Sequence, residues 1–237
     1  MKSVLVTGNS SGLGLAMTHW HLDRGARVFG ISRRGCSLQH ASLHDTTADL
    51  GQLERIEPAL AELLADVTHL DLVFLNAGTL GQIESMPNYS VGDLEAIMRV
   101  NVWSNKILLD ALLKQNIMAE QIILVSSGAS ITGRAGWSGY ALSKSTLNML
   151  AQLYAHEFPH SHVCALAPGI FDSPMQGQIR DPQHVDVDRF ASFQSLRDAK
   201  SSGQMPEAEQ TADLIMTLLP VIRQAPSGQF QDIRNLD

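Results

Sequence analysis

The chain has 237 residues, of which 44% are hydrophobic and 17% charged, and its formal net charge is −7. This length suits one domain that buries a substantial core without help from disulfides or metals. The acidic balance and the lack of a basic cluster argue against nucleic acid and against an anionic membrane surface as partners.

The two cysteines, Cys36 and Cys164, have neither metal-binding spacing nor the pattern of a disulfide framework. Cys164 lies in an apolar run, so we expect it to be buried in a protein of a reducing compartment. A predicted strand begins almost at Met1, which leaves no room for a signal peptide, and no apolar run is long enough to cross a membrane. The sequence therefore predicts a cytoplasmic protein.

Strand-like and helix-like segments alternate along the whole chain. Strand patterns cover 3–7, 27–32, 72–76, 121–126, 163–167 and 229–233, with a weaker one at 42–44. Helical patterns fill the gaps, and the long ones cover 93–115 and 140–158. This alternation predicts an α/β fold, a Rossmann-like doubly wound parallel sheet of about seven strands with helices on both faces, in a single domain over 1–237.

The first predicted strand ends in a glycine-rich turn. The turn consists of Gly8, Asn9, Ser10, Ser11, Gly12, Leu13 and Gly14. Its glycines let the backbone approach a pyrophosphate, and the helix that follows offers free N–H groups. A Walker-type loop is excluded because no Lys-Ser/Thr pair follows the last glycine. The turn therefore predicts a dinucleotide site, and an ordinary strand-to-helix connection is the alternative.

The second predicted strand ends at two arginines, Arg33 and Arg34. An NAD-selective site usually places a carboxylate here to accept hydrogen bonds from the ribose hydroxyls. Guanidinium groups suit a 2′-phosphate instead, through bidentate hydrogen bonds. We therefore expect NADP(H) as the cofactor, and the alternative is that both arginines are solvated loop charges.

Tyr140 and Lys144 are four residues apart on a predicted helix, so their side chains share one face. A lysine ammonium beside a phenol favours the phenolate, which predicts a Tyr140 pKa below its ordinary value. Such a tyrosine exchanges a proton with an alcohol or carbonyl oxygen near neutral pH. Taken alone, the pair is also compatible with a half-exposed helix face.

The run from His156 to His160 has the HExxH pattern of zinc proteases. That site needs both histidines on one face of a continuous helix. Pro159 removes a backbone donor and disfavours helical geometry at Phe158, so we expect the helix to end there. We therefore predict no metal site.

The stretch 172–205 is rich in Gln, Asp, Ser and Pro, with an amphipathic piece around Phe190, Phe193 and Leu196. A segment of this length beside a cofactor cleft favours a substrate lid. The alternative is a surface excursion with a small helix packed on it.

In this order and spacing, the motifs resemble the short-chain dehydrogenase/reductase family over nearly the whole chain. Thr7 to Gly14 matches its TGxxxGxG turn, and Tyr140 with Lys144 matches its YxxxK pair. The family's remaining positions match Asp49, Leu50, Asn76, Ala77, Gly78, Asn101, Ser127, Pro168, Gly169, Ile170 and Ser173.

The resemblance implies a role for each matched position. Ser127, Tyr140, Lys144 and Asn101 would be catalytic, Asn101 by positioning a water. The spacing of thirteen positions from Ser127 to Tyr140 favours Ser127 over its neighbour Ser126. The glycine turn, Arg33, Arg34, Asp49-Leu50, Asn76-Ala77-Gly78, Tyr140, Lys144, Pro168-Gly169-Ile170 and Ser173 would bind the cofactor. Two positions depart from the family pattern: Ser11 replaces a common basic residue, and Ser173 replaces the usual threonine.

The second half of the chain is similar to the sepiapterin reductase and benzil reductase branch, through 167–176, 196–203 and 227–232. This implies an NADPH-dependent reductase of ketones or vicinal dicarbonyls, acting as a homodimer or homotetramer on a small carbonyl substrate. The expected substrate pocket consists of Ser127, Trp137, Tyr140, Gly169, Phe171, Met175 and Asp232. For Asp232, a strand-end cap or a subunit contact is the alternative.

Two other functions are compatible with the fold. One is an NAD-dependent alcohol dehydrogenase of the same family, working in the opposite direction. The other is a nucleotide-sensing module without catalysis. The presence of Ser127, Tyr140 and Lys144 disfavours the second of these.

Overall fold

The computed structural model of the chain describes residues 1–181, 189–190 and 193–236. Its core is a seven-stranded sheet in the order β3-β2-β1-β4-β5-β6-β7, and every neighbouring pair is parallel. The strands are β1 Ser3–Thr7, β2 Arg27–Ser32, β3 Leu43–Thr47, β4 His69–Leu75, β5 Met118–Val125, β6 His162–Ala167 and β7 Phe230–Asp232. The predicted Rossmann-like sheet is confirmed.

Helices cover both faces of the sheet because successive strand residues point to opposite sides. Leu5 of β1 joins one apolar core, and its neighbours Val4 and Val6 join the other. The first core lies under α2, α4 and α5, and the second under α1 and α8. The helices are α1 Gly12–Leu22, α2 Ile56–Leu63, α3 Val91–Met98, α4 Ser104–Lys114, α5 Ser138–Glu157, α6 Pro174–Arg180, α7 Gln194–Ser201 and α8 Ala208–Ile222.

Strands β4 and β5 begin three residues earlier than predicted, and two further elements differ more from the sequence prediction. The weak strand at 42–44 extends over Leu43–Thr47, since this polar edge strand is held by its backbone ladder to β2 rather than by buried side chains. The single helix expected over 93–115 is divided by a π-helical turn at Arg99–Trp103, which joins α3 to α4. Such an insertion leaves no mark in hydrophobic periodicity.

Three local expectations agree with the structure. Helix α5 ends at Glu157, so His160 lies beyond the helix and shares no helical face with His156. Cys164 is buried in β6, and burial raises the pKa of its thiol to about 12. Within the described residues, no helix has both the length and the apolar character needed to cross a bilayer.

Candidate active site

A cavity of about 790 Å³ opens at the carboxyl ends of the strands. Strand β1 lies between β2 and β4 in the sheet. The chain crosses from β1 to β2 on one side of β1 and later from β3 to β4 on its other side, and a crevice forms at the strand ends where these connections diverge. The cavity is lined by residues that include Gly8, Ser11, Asn76, Ser127, Tyr140 and Lys144. Its volume falls in the range of small-molecule sites.

The glycine turn packs too tightly for side chains. A Cβ added to Gly14 would lie 2.3 Å from the Gly8 carbonyl oxygen and 2.6 Å from Asn76 Nδ2. Gly8 itself has φ of +69°, a conformation that glycine adopts without strain. The start of α1 therefore lies directly on the end of β1, where its free N–H groups suit a pyrophosphate. Gly14 provides this close packing and does not line the cavity.

Thr7 fastens the turn to the loop after β4. Its buried hydroxyl oxygen accepts hydrogen bonds from the backbone N–H groups of Asn76 and Ala77, both at 3.0 Å. Asn76 Nδ2 donates in return to the Thr7 carbonyl oxygen at 3.2 Å. Asn76, Ala77 and Gly78 all line the cavity, so this clamp sets one wall of the site.

Asn9 does not line the cavity, although the resemblance places it among the cofactor residues. Its side chain is fully buried, and its Nδ2 donates to Asp45 Oδ1 on β3 at 2.6 Å. Asp45 Oδ2 also accepts from the Cys36 backbone N–H at 2.7 Å. Gly30 makes room for this pair, since an added Cβ would lie 2.0 Å from Asn9 Nδ2. Asn9 and Asp45 thus fix the loop that carries Arg33.

Arg33 and Arg34 are exposed, and both line the cavity together with Asp49 and Leu50. The Arg34 guanidinium donates to Ser11 Oγ at 3.4 Å, so it lies at the glycine turn. The end of β2 therefore presents two cations where a carboxylate would select for ribose hydroxyls. Together with the glycine turn, this donor set fits a nicotinamide dinucleotide.

The structure brings Ser127 and Tyr140 together at the cavity wall. The Ser127 hydroxyl lies beside the Tyr140 phenol, which is 8% exposed, and its hydrogen-bonding interaction acts to lower the pKa of the phenol. The neighbouring Ser126 donates instead to Asn148 Oδ1 at 2.5 Å. Ser127 is therefore the serine placed to share a substrate oxygen with Tyr140.

The expected lowering of the Tyr140 pKa is not found in the cofactor-free chain. Burial raises the pKa of Tyr140, and the hydrogen bond to Ser127 opposes this only in part. Lys144 Nζ lies 5.8 Å from the centre of the Tyr140 ring and donates to the Val125 carbonyl oxygen at 2.6 Å. Burial lowers the pKa of Lys144 itself to about 8. Desolvation therefore outweighs the attraction between the two groups.

Asn101, expected among the catalytic residues, is buried in the π-helical turn and does not line the cavity. Its Oδ1 accepts from the Thr79 N–H at 2.8 Å. Its Nδ2 donates to the Thr79 carbonyl oxygen and to Ser143 Oγ, each at 2.9 Å. Both amide hydrogens are thus committed to protein acceptors. Asn101 is a positioning residue that ties the loop after β4 to α5, and its role toward water stays a prediction.

Sequence reasoning missed a buried polar network behind Ser127. Asn148 accepts from Ser126 and donates through Nδ2 to Ser130 Oγ at 2.8 Å. Ser130 Oγ donates to the Ser127 carbonyl oxygen at 2.6 Å. The available signal was spacing, because Tyr140, Lys144 and Asn148 follow one another at intervals of four on α5.

Comparison with known proteins agrees with this geometry. A profile of the short chain dehydrogenase family matches residues 2–184. The chain belongs to the short-chain dehydrogenase family.

Relatives of this short-chain dehydrogenase match it along nearly its full length. It is 29% identical to a benzil reductase ((S)-benzoin forming) of Saccharomyces cerevisiae, over 97% of this chain and 94% of the relative. It is 25% identical to a benzil reductase ((S)-benzoin forming) of Bacillus subtilis, over 99% of both chains. Among solved structures, the KRED1-Pglu enzyme superposes with a TM-score of 0.83 at 27% identity, covering 98% of this chain and 100% of that one.

In this short-chain dehydrogenase, the loop after β6 covers the glycine turn. Pro168, Gly169, Ile170 and Ser173 all line the cavity, and Gly169 has φ of +74°. Ser173 Oγ accepts from the Gln176 N–H at 3.2 Å and so caps α6. A Cβ added to Gly12 would meet Ser173 Cβ at 3.6 Å, which places this cap beside the start of α1.

The segment after Ser173 packs over Tyr140. The Phe193 ring stacks on Trp137 with centroids 4.6 Å apart, and Phe190, Phe193 and Leu196 share a buried cluster with Tyr140. Met175, Phe171 and Trp137 line the cavity, as expected for substrate walls. Parts of the predicted lid at 172–205, namely 182–188 and 191–192, lie outside the described residues. The described parts cover the site, and lid motion stays a prediction.

Asp232, expected to anchor the substrate, does not line the cavity. Its Oδ1 accepts from the Arg234 backbone N–H at 3.1 Å and from Arg234 Nε at 2.9 Å. Its Oδ2 accepts from Arg234 Nη2 at 2.5 Å. Asp232 therefore takes the alternative role of a strand-end cap, and sequence reasoning missed Arg234, which does line the cavity.

We expect Lys144→Met to stabilise the cofactor-free protein, and to do so more at neutral than at alkaline pH. The folded pKa of Lys144 lies near 8, below its ordinary value of 10.5, so at lower pH folding must desolvate an ammonium. Above both values the lysine is neutral in either state, and the penalty disappears. The gain in unfolding free energy should be about 3 kcal/mol larger at about pH 7 than at about pH 10.5.

Urea denaturation of wild type and variant at both pH values measures this difference. Lys2→Met removes an exposed charge and is the control. A gain that is the same at both pH values would contradict desolvation of Lys144 as its cause.

Proposed function

We propose that this short-chain dehydrogenase is an NADPH-dependent carbonyl reductase that acts on a ketone or a vicinal dicarbonyl. The observation that carries the proposal is that a single cavity is lined both by Ser127 and Tyr140 and by Arg33 and Arg34. Two relatives that match nearly the whole chain are benzil reductases, and benzil is a vicinal dicarbonyl.

The proposed reaction converts a ketone, NADPH and a proton into an alcohol and NADP⁺. When bound, the cofactor supplies the hydride that adds to the carbonyl carbon. Tyr140 O–H donates its proton to the carbonyl oxygen, and the Ser127 hydroxyl hydrogen-bonds the same oxygen where negative charge develops. Because Tyr140 is buried beside Trp137, water is kept away from this transfer.

Lys144 supports this step from behind the tyrosine. The Lys144 ammonium donates a hydrogen bond to the carbonyl oxygen of Val125, the last residue of β5 and two residues before Ser127. From there it favours the phenolate left after proton transfer and offers donors for the nicotinamide ribose. Asn101 and Ser143 keep α5 at a fixed distance from the loop after β4, since one hydrogen-bond chain joins them to Thr79 and Tyr140.

The two arginines disfavour an NAD-dependent alcohol dehydrogenase, and the retained catalytic groups disfavour a sensing module. A homodimer or homotetramer is supported by Leu142, Met149 and Leu153, exposed apolar side chains along one side of α5, and sedimentation equilibrium measures this directly. The cytoplasmic location stays a prediction.

Tyr140→Phe tests the chemistry. Removal of the phenolic proton should lower kcat for benzil reduction by about 100-fold to 10,000-fold and leave the Kd for NADPH unchanged. Stopped-flow NADPH consumption and a fluorescence titration give the two quantities. Tyr154→Phe is the matched control, because this tyrosine lies on the same helix and hydrogen-bonds Asp110 away from the cavity. Near-normal turnover in Tyr140→Phe would refute Tyr140 as the acid.

Arg33→Asp tests the cofactor. The change replaces attraction to the 2′-phosphate by repulsion, so the ratio of kcat/KM for NADPH over NADH should fall by at least about 10-fold. Arg34→Asp should have the smaller effect, because Arg33 aligns with the basic residue of the sepiapterin reductase pattern. Initial rates with both cofactors decide this. If KM for both cofactors is unchanged in both variants, the arginines are solvated loop charges.

Trp137→Ala tests the substrate wall. The indole lies between Tyr140 and Phe193, with ring centroids 5.7 Å and 4.6 Å away. Its loss should raise KM by about 10-fold for an aromatic diketone such as benzil, and much less for an aliphatic one such as butanedione. Trp103→Ala, at an exposed indole outside the cavity, is the control. Equal losses for both substrates, or a lower melting temperature without altered selectivity, would assign Trp137 to structure.

A further inference from the structure

The Arg234 side chain crosses the carboxyl end of the sheet beside the catalytic serine. Its Cγ lies 3.6 Å from the position of a Cβ on Gly169, after β6. Its Nη2 lies 3.0 Å from the position of a Cβ on Gly128, the residue that follows Ser127. Both glycines and Arg234 line the cavity. A side chain at Gly128 would thus meet the guanidinium, which lies on the Ser127 side of the site.

Asp232 holds this guanidinium in a single orientation. The carboxylate accepts from both Nε and Nη2, a bidentate geometry that fixes the plane of the group. The two members of the pair differ in burial, since the Asp232 side chain is 5% exposed and the Arg234 side chain 55%. Asp232 is therefore the buried anchor, and Arg234 is the partner that faces the cavity.

The pair leaves donors available on its cavity side. The hydrogen bonds found for the Arg234 side chain within the described residues use Nε and Nη2. A guanidinium has five N–H donors, so Nη1 keeps two of them. Because the Asp232 carboxylate already balances the charge, the remaining donors suit a neutral oxygen acceptor more than an additional anion.

We propose that Arg234 determines specificity for vicinal dicarbonyls by donating a hydrogen bond to the second carbonyl oxygen, while Ser127 and Tyr140 bind the oxygen of the carbonyl that is reduced. This inference rests on the proposed carbonyl reductase activity and adds the substrate class. The two oxygens of a vicinal dicarbonyl lie on adjacent carbons, so the hydrogen-bond donors for both must lie on the same side of the site. The Ser127 hydroxyl and the Arg234 guanidinium, which lies beside Gly128, satisfy this condition. Asp232 acts through Arg234 and is a positioning residue.

The test compares benzil with deoxybenzoin, which has the same two phenyl rings but a methylene in place of one carbonyl. Arg234→Gln should lower kcat/KM for benzil about 10-fold to 100-fold, and for deoxybenzoin by less than about 3-fold. The double variant Asp232→Asn, Arg234→Gln leaves no unpaired buried carboxylate and should show the same discrimination. Arg24→Gln is the matched control, since Arg24 also pairs with an aspartate, Asp213, but lies outside the cavity.

Binding provides a second readout. Calorimetric titration of benzil into the complex with NADP⁺, where no turnover occurs, should show Kd raised about 10-fold or more by Arg234→Gln, and deoxybenzoin should show little change. A phenylglyoxylate titration examines the anionic alternative. A larger loss for phenylglyoxylate than for benzil would overturn the preference for a neutral oxygen.

The outcomes separate this inference from the proposed function. If wild type reduces benzil with NADPH but Arg234→Gln loses benzil and deoxybenzoin activity equally, the reductase stands and the role of Arg234 is wrong. The role of Arg234 is also wrong if Arg134→Gln, a change at another arginine that lines the cavity, shows the benzil-specific loss instead. If wild type reduces neither compound nor any other carbonyl, the proposed function itself fails.

Discussion

The close approach of α1 to the ends of β1 and β4 is the contact on which the whole site depends. Gly14 lies directly against Gly8, and Thr7 ties β1 to Asn76 and Ala77. Any side chain at Gly14 would separate helix from strand and move the wall that faces the cofactor. The backbone packing of α1 against β1 and β4 therefore fixes the polar edge of the cavity independently of the side chains proposed for catalysis.

The cavity lining carries more basic than acidic side chains, although the chain as a whole is acidic. The net charge is −7, yet five basic and two acidic side chains belong to the described lining of the cavity. These cations are held in different ways: Lys144 is desolvated, Arg234 is neutralised by Asp232, and Arg33 and Arg34 are solvated. Each state suits a different part of the proposed function, namely proton chemistry, recognition of a neutral oxygen, and attraction of a phosphate.

The sequence predicted what local patterns encode. Alternating apolar runs gave the sheet, Pro159 gave the end of α5, and the spacing of Tyr140 and Lys144 put both on one face. Contacts between distant segments were not predictable in this way. Asn9 meets Asp45 only because β2 pairs with β3, and the pKa of Tyr140 follows its burial under the segment after β6 rather than its nearest charge. Arg234 was hidden for the same reason, because it meets Gly128, more than a hundred residues earlier, only in the folded chain.

The segment that covers the site begins and ends at one place. The Asp172 N–H donates to the Pro206 carbonyl oxygen at 2.8 Å, and the Asp172 carboxylate pairs with Arg180 at 2.7 Å and Lys200 at 2.6 Å. Because its two ends are held together, the segment behaves as a closed loop, and the entropic cost of closing it rises only slowly with the number of residues it contains. Insertions and deletions inside it would therefore change the shape of the substrate chamber at little cost to folding. Evolution can thus alter substrate range here independently of the nucleotide half of the protein.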